Sequence, residues 1–155
     1  MSDGLPRTGR LAALDYGSVR IGVAVTDPEQ RLASPLETYT RRGGAGDAAW
    51  LKELVARERI VGIVVGLPVH TSGRESQKSQ EARRFAEWAA AVAGVPVALF
   101  DERYTTVEAE AVLLGADLSR KRRKERLDKL AAQILLSAYL QSPRADNDTA
   151  RGLDE

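Results

Sequence analysis

Apolar positions recur along this chain first with the period of strands and later with that of helices, and the change between the two marks out its elements. Leu11 to Leu14 and Arg20 to Thr26 read as strands, joined by Asp15-Tyr16-Gly17-Ser18-Val19, a turn-rich link short enough for an antiparallel pair. A third strand near Leu36 to Thr40 completes a meander. Arg41 to Gly46 is a glycine-rich loop, and Asp47 is placed to cap a helix whose inner face is Trp50, Leu51, Leu54, Val55 and Glu58. Ile60 to Val65 is a continuous, mostly β-branched apolar run, as expected of a strand covered on both faces. It stops at Gly66-Leu67-Pro68, because proline has no N–H to donate to a ladder. A long helix over roughly Glu75 to Ala93 buries Ala82, Phe85, Ala86, Ala89 and Val92 and ends at Gly94. Val95 to Phe100 is a second buried strand. Thr105 to Glu108 has capping-box spacing and opens a short helix that Gly115 ends. A last helix starts around Leu127, with Leu127, Ala131, Ile134, Leu135 and Ala138 at helical spacing.

The order β, β, β, α, β, α, β, α, α predicts an α/β fold: one mixed five-stranded sheet, an antiparallel meander plus parallel strands, flanked by helices. The 155 residues suit one domain, here 10–141. Residues 1–9 and 142–155 are polar and aperiodic and read as flexible ends. If the strand at Ile63 lies beside the first strand, their C-terminal ends point the same way and a crevice opens there. Asp15, Gly66-Leu67-Pro68 and Glu102 fall at that edge.

Composition narrows the chemistry. With no cysteine, disulfides, thiolate zinc sites and a cysteine nucleophile are excluded, and there is only one histidine. No apolar stretch approaches the ~18 residues of a membrane span, and Met1 to Arg10 lacks a secretory segment, so a cytoplasmic protein with no membrane partner is expected. The net charge of +1 conceals an uneven distribution. Ser119 to Lys129 holds seven basic residues against two acidic ones, so that window carries +5 and the remainder −4.

Three carboxylates then stand out: Asp15 after the first strand, Glu102 after the last, and Asp128 on the last helix. Positions 128, 131, 132, 135 and 139 share a helix face, and Ala131 and Ala132 are small enough to let that helix approach the sheet closely. Other roles are open to each acid. Asp128 also suits a first-turn acid favoured by the helix dipole, and Asp15 an aspartate that starts a turn. Of Asp101 and Glu102 only one can face the crevice, since neighbours on a strand point to opposite sides, and Arg103 could pair with the other. Three carboxylates about 5 Å apart repel by on the order of 3 kcal/mol per pair at an effective dielectric of 20. Hard cations such as Mg²⁺ or Mn²⁺ remove that penalty, and a pair of them can activate water and stabilise the leaving oxygen of a phosphodiester. The basic run Arg120, Lys121, Arg122, Arg123 and Lys124 reads as a phosphate-contacting segment, or else as a solvated loop. Tyr16, Tyr104 and His70 are near the crevice, where they can touch substrate or simply pack.

Several short blocks now fall into one order: Asp15-Tyr16-Gly17 with Arg20-Ile21-Gly22-Val23-Ala24, Gly66-Leu67-Pro68, Asp101-Glu102-Arg103 with Thr105-Thr106, and Asp128 with Ala131-Ala132. Together, over about Arg10 to Leu140, the chain resembles the YqgF family, also called RuvX, whose members are described as candidate Holliday junction resolvases and candidate pre-16S ribosomal RNA nucleases. The resemblance implies an RNase H-like fold and a nuclease dependent on Mg²⁺ or Mn²⁺ that trims the 5′ end of precursor 16S rRNA. It also implies Asp15, Glu102 and Asp128 as metal-binding catalytic acids. Arg20 and Arg103, inside the matched blocks, join the basic run as candidate substrate-binding residues. Related RNase H-like resolvases carry a glutamate on the strand here formed by Val64-Val65-Gly66. This chain has none there, so Glu102 is expected to supply that carboxylate from the neighbouring strand.

Other readings differ in class. Sugar kinases and actin-like ATPases share an aspartate-x-glycine turn before an apolar strand, but bind nucleotide between two such domains, and this chain has length for one. A non-catalytic module on the same fold would bind RNA or a transcription complex through the basic run. Branched DNA is the alternative to precursor rRNA as nucleic-acid partner. Symmetric junction cutting needs a homodimer, whereas rRNA trimming can be done by a monomer.

Overall fold

The computed structural model describes residues 4–68, 77–102 and 120–142. Its strands are β1 (Arg10–Tyr16), β2 (Arg20–Thr26), β3 (Ala33–Thr40), β4 (Ile60–Leu67) and β5 (Val97–Asp101). The helices are α1 (Gly44–Glu58), α2 (Gln77–Ala93) and α3 (Arg120–Gln141). The sheet order is β3-β2-β1-β4-β5, with β1–β2 and β2–β3 antiparallel and β1–β4 and β4–β5 parallel. This is the expected meander with parallel strands added beside β1.

Alternation along β1 sorts its side chains between two cores. Ala12 and Leu14 join Trp50, Leu54, Phe85 and Ala89 on the face covered by α1 and α2, whereas Leu11 and Ala13 join Ala132, Leu135, Leu136 and Tyr139 under α3. The next two residues continue the alternation. Asp15 therefore falls on the α3 face, and Tyr16 on the other, with its ring centroid 4.7 Å from that of Phe85. The predicted α2 residues Ala82, Phe85, Ala86 and Ala89 are buried, while Val92 is only partly so.

Four expectations differ from the structure. The last helix starts by Arg120 rather than near Leu127: its first turns are arginine, lysine and glutamate, strong helix formers without the apolar repeat that revealed the rest. Asp47 is not the cap of α1. Gly43 holds that position with no side-chain cap, and Asp47, in the first turn, reaches back to accept from the backbone N–H groups of Arg42 and Gly43 and from the Tyr39 hydroxyl at 2.7 Å. β1 runs on through Asp15 and Tyr16, so these belong to the strand and not to the link. The segment before Arg10 also packs, which the expectation of a flexible stretch over 1–9 did not include. Leu5 is 4% exposed, and the Gln30 amide donates to the carbonyls of Pro6 and Gly9. The capping box at Thr105 and its short helix lie outside the described residues. No described helix is long and apolar enough to cross a membrane.

α3 approaches β2 more closely than side chains ordinarily allow. A Cβ built on Gly22 would overlap the backbone carbonyl of Asp128 and crowd the amide of Lys129. On the far side of the same crossing the Thr38 hydroxyl donates to the carbonyl of Glu125. Gly22→Ala should therefore lift α3 and cost about 1–3 kcal/mol, the usual range for overpacking, read as a lower urea midpoint with an unchanged slope.

Candidate active site

Gly22 pairs across the ladder with Asp15, so the glycine that admits α3 also sets Asp128 beside Asp15. The Asp128 carboxylate accepts from Arg20 Nε at 2.8 Å, an ion pair between the start of β2 and α3. On the opposite flank a Cβ on Gly66 would overlap the Glu102 carboxylate. Glu102, immediately after β5, thus fills the space that a side chain on β4 would occupy. Asp101, which pairs with Leu67 on β4, is not among the residues lining this space.

Asp15 and Glu102, but not Asp128, border an open cleft of about 380 Å³ at the C-terminal ends of β1 and β4. It is lined by Asp15, Tyr16, Gly66, Pro68 and Glu102 and, from α2, by Lys78, Glu81 and Ala82. Burial, then the neighbouring charges of Glu102 and Asp128, push the Asp15 carboxyl from its ordinary 3.8 up to about 7. Glu102 is raised as well, by burial and by Asp101, with Lys78 partly offsetting the rise. The molecule therefore holds converging carboxylates in a setting that disfavours their charge.

The donor set suits a hard divalent cation: among the described residues lining the cleft the acceptors are oxygens, the carboxylates with the Tyr16 and Ser18 hydroxyls, with no sulfur or histidine. Among the described residues no three His, Asp or Glu side chains stand close enough to enclose an ion as they are placed. One oxygen of the Asp128 carboxylate is engaged by Arg20.

The remaining candidates are distributed as follows. Arg20 lies within the site but is spent at least partly on Asp128. Arg103, Tyr104 and His70 lie outside the described residues. The backbone of Arg120 to Lys124 forms the first turns of α3, with Arg122 and Lys124 exposed. Tyr16 both packs on Phe85 and lines the cleft, with Arg41 5.3 Å above its ring. Lys78, Gly22 and Gly66 were missed as contributors in their own right. Both glycines belonged to recognised blocks, yet only the folded chain shows what each makes room for.

A mixed sheet of this order carrying acids at the ends of its parallel strands belongs to the RuvC-like, RNase H class of α/β folds. Thermus thermophilus RuvC, solved in complex with Holliday junction substrate, aligns with a TM-score of 0.52 and 21% identity, over 84% of this chain and 93% of that one, a likeness of fold. At the level of sequence, the family model described as RuvX, Holliday junction resolvase, matches residues 9–142, and the chain belongs to the RuvX family. A protein of Rhodopirellula baltica bearing the name "Putative pre-16S rRNA nuclease" is 49% identical over 148 residues, covering 96% of this chain and 86% of its own. Proteins with the same name from Cereibacter sphaeroides (48% identical; 88% and 85% covered) and Koribacter versatilis (41%; 90% and 92%) are also similar.

The raised Asp15 carboxyl has a consequence for stability. Unfolded, it ionises near 3.8; folded, it keeps its proton to about 7, so between these values the folded state binds more protons and stability falls as pH rises. Asp15→Asn removes the charge and should melt several degrees above the parent at about pH 8 in chelator, within a ceiling of about 4 kcal/mol. The gap should close toward about pH 4, as melting curves across that range would measure.

Proposed function

We propose that this chain is a divalent-metal-dependent nuclease, a hydrolase of phosphodiester bonds that acts in the cytoplasm on the 5′ end of precursor 16S rRNA. Asp15, Glu102 and Asp128 are its metal-binding catalytic acids, and Mg²⁺ or Mn²⁺ is its cofactor. The observation that carries this is Asp15, held on a rigid strand between two other carboxylates with its own ionisation suppressed. Such a site stores a deficit of positive charge that a hard cation relieves. The names of the similar proteins support rRNA as substrate.

Hydrolysis requires a nucleophilic water in line with the bond to be cut and relief of charge on the leaving oxygen. Divalent cations supply both when bound by such acids. The chain's own part is placement. β1 fixes Asp15, the void over Gly66 fixes Glu102, and the crossing at Gly22 fixes the backbone of Asp128, whose carboxylate Arg20 orients. Lys78 lends positive charge to the cleft wall, and Arg122 and Lys124, exposed near the start of α3, offer phosphate contacts. Proton transfer through histidine or covalent attack by cysteine is not needed for this chemistry.

A second reading, a Holliday junction resolvase acting on branched DNA, is favoured by the family description. It would require two such sites and hence a homodimer, whereas trimming of rRNA is open to a monomer.

Purified protein incubated with Mn²⁺ or Mg²⁺ should cleave precursor rRNA in preference to junction DNA supplied side by side. Chelator should stop it. Asp15→Asn, Glu102→Gln and Asp128→Asn should each lower the rate at least a hundredfold while nucleic-acid binding persists. Cleavage that survives Asp15→Asn would remove that residue from the mechanism.

A further inference from the structure

α3 presents a second charged surface on its side away from the cleft. Thr38, Arg122, Glu125, Arg126 and Lys129 line an open pocket of about 320 Å³ that shares no residue with the cleft at Asp15. Arg122, Arg126 and Lys129 are spaced by four and three residues, so they form one stripe on the helix and outnumber the one acid among them. The floor is anchored, because the Thr38 hydroxyl donates to the Glu125 carbonyl and ties α3 to the edge strand β3. The pocket is thus a preformed concavity of net positive charge, with the size and chemistry for a phosphate diester.

Its position relative to the acids follows from the sheet register. Thr38 pairs with Gly22, and Gly22 with Asp15, so the pocket floor lies two strand spacings, roughly 10 Å, from Asp15. α3 passes between the two. A strand whose scissile phosphate lies at the cleft can cross α3 and set another of its phosphates in the pocket.

We propose that this pocket is a phosphate-backbone subsite that grips the substrate strand on the β3 side of α3. The assignment rests on the cleft being a nuclease centre, but its test does not. It supplies affinity and register without reading sequence, since its contacts are to phosphate.

Binding is measured by fluorescence anisotropy with single-stranded precursor 16S leader RNA, in the Asp15→Asn background so that no strand is cut. Arg122→Ala/Arg126→Ala is compared with a charge-matched pair, Arg31→Ala/Lys52→Ala, at exposed positions lining neither the pocket nor the cleft. The pocket pair should weaken binding at least tenfold at low salt. It should also make the slope of log K against log salt shallower by about 1.4, or 0.7 per lost phosphate contact on a single strand. The control pair should shift affinity less than twofold. As the RNA is shortened from one end, the deficit should disappear once the strand no longer reaches over α3. Equal losses in both pairs, no loss in the pocket pair, or a deficit independent of RNA length would each overturn the subsite. Arg126→Gln alone, a single exposed change, repeats the measurement should the double variant melt early. Because the readout is binding, a wild-type protein that fails to cleave would sink the catalytic reading and leave this result standing, and the converse also holds.

Discussion

The site depends on one contact without side chains: the backbone of α3 resting on Gly22 of β2. Helices normally stand off a sheet by the thickness of two layers of side chains. Here the layer on the strand is absent, so the helix descends at Asp128 and its carboxylate comes into range of Asp15. Arg20, from the start of the same strand, then meets that carboxylate at 2.8 Å. Farther along α3, Ala132, Leu135, Leu136 and Tyr139 continue the contact as ordinary apolar packing and carry most of the stabilisation. The first part of the helix is thereby held by a buried second part and by the hydrogen bond from Thr38 to the Glu125 carbonyl.

A related principle operates at Glu102. A carboxylate can be delivered to one point in space from more than one strand. Gly66 vacates the place on β4, and Glu102 fills it from just beyond β5. The resulting crowding of negative charge in a partly buried cleft is expensive. The elevated Asp15 carboxyl is the direct sign of that expense, which a bound cation would cancel.

The opposite face of the sheet supplies rigidity. Tyr39 stacks on Trp50 with centroids 4.0 Å apart and rings nearly parallel, and Asp47, almost wholly buried, gathers Tyr39, Arg41 and the loop amides of Arg42 and Gly43. Arg41 in turn reaches the Tyr16 ring, adjacent to Asp15. The strand bearing Asp15 is thus pinned from the face covered by α1 and α2.

Much of this was already legible along the chain, because strands and helices advertise themselves by period. β2 was placed to the residue, and the meander with parallel strands added to it followed from the order of elements. The three acids were visible as acids, at strand ends and on a helix face. Their mutual placement was not, since it turns on a void at Gly22 and another at Gly66, and a glycine in a strand does not say what will fill the room it leaves. The start of α3 was hidden for a different reason: a helix with no apolar face has no periodic signature, so only its packed continuation reveals it. The pocket beside Thr38 lay furthest from view. It joins residues nearly ninety positions apart, and such contacts are decided by register and crossing, which exist only once the sheet has formed.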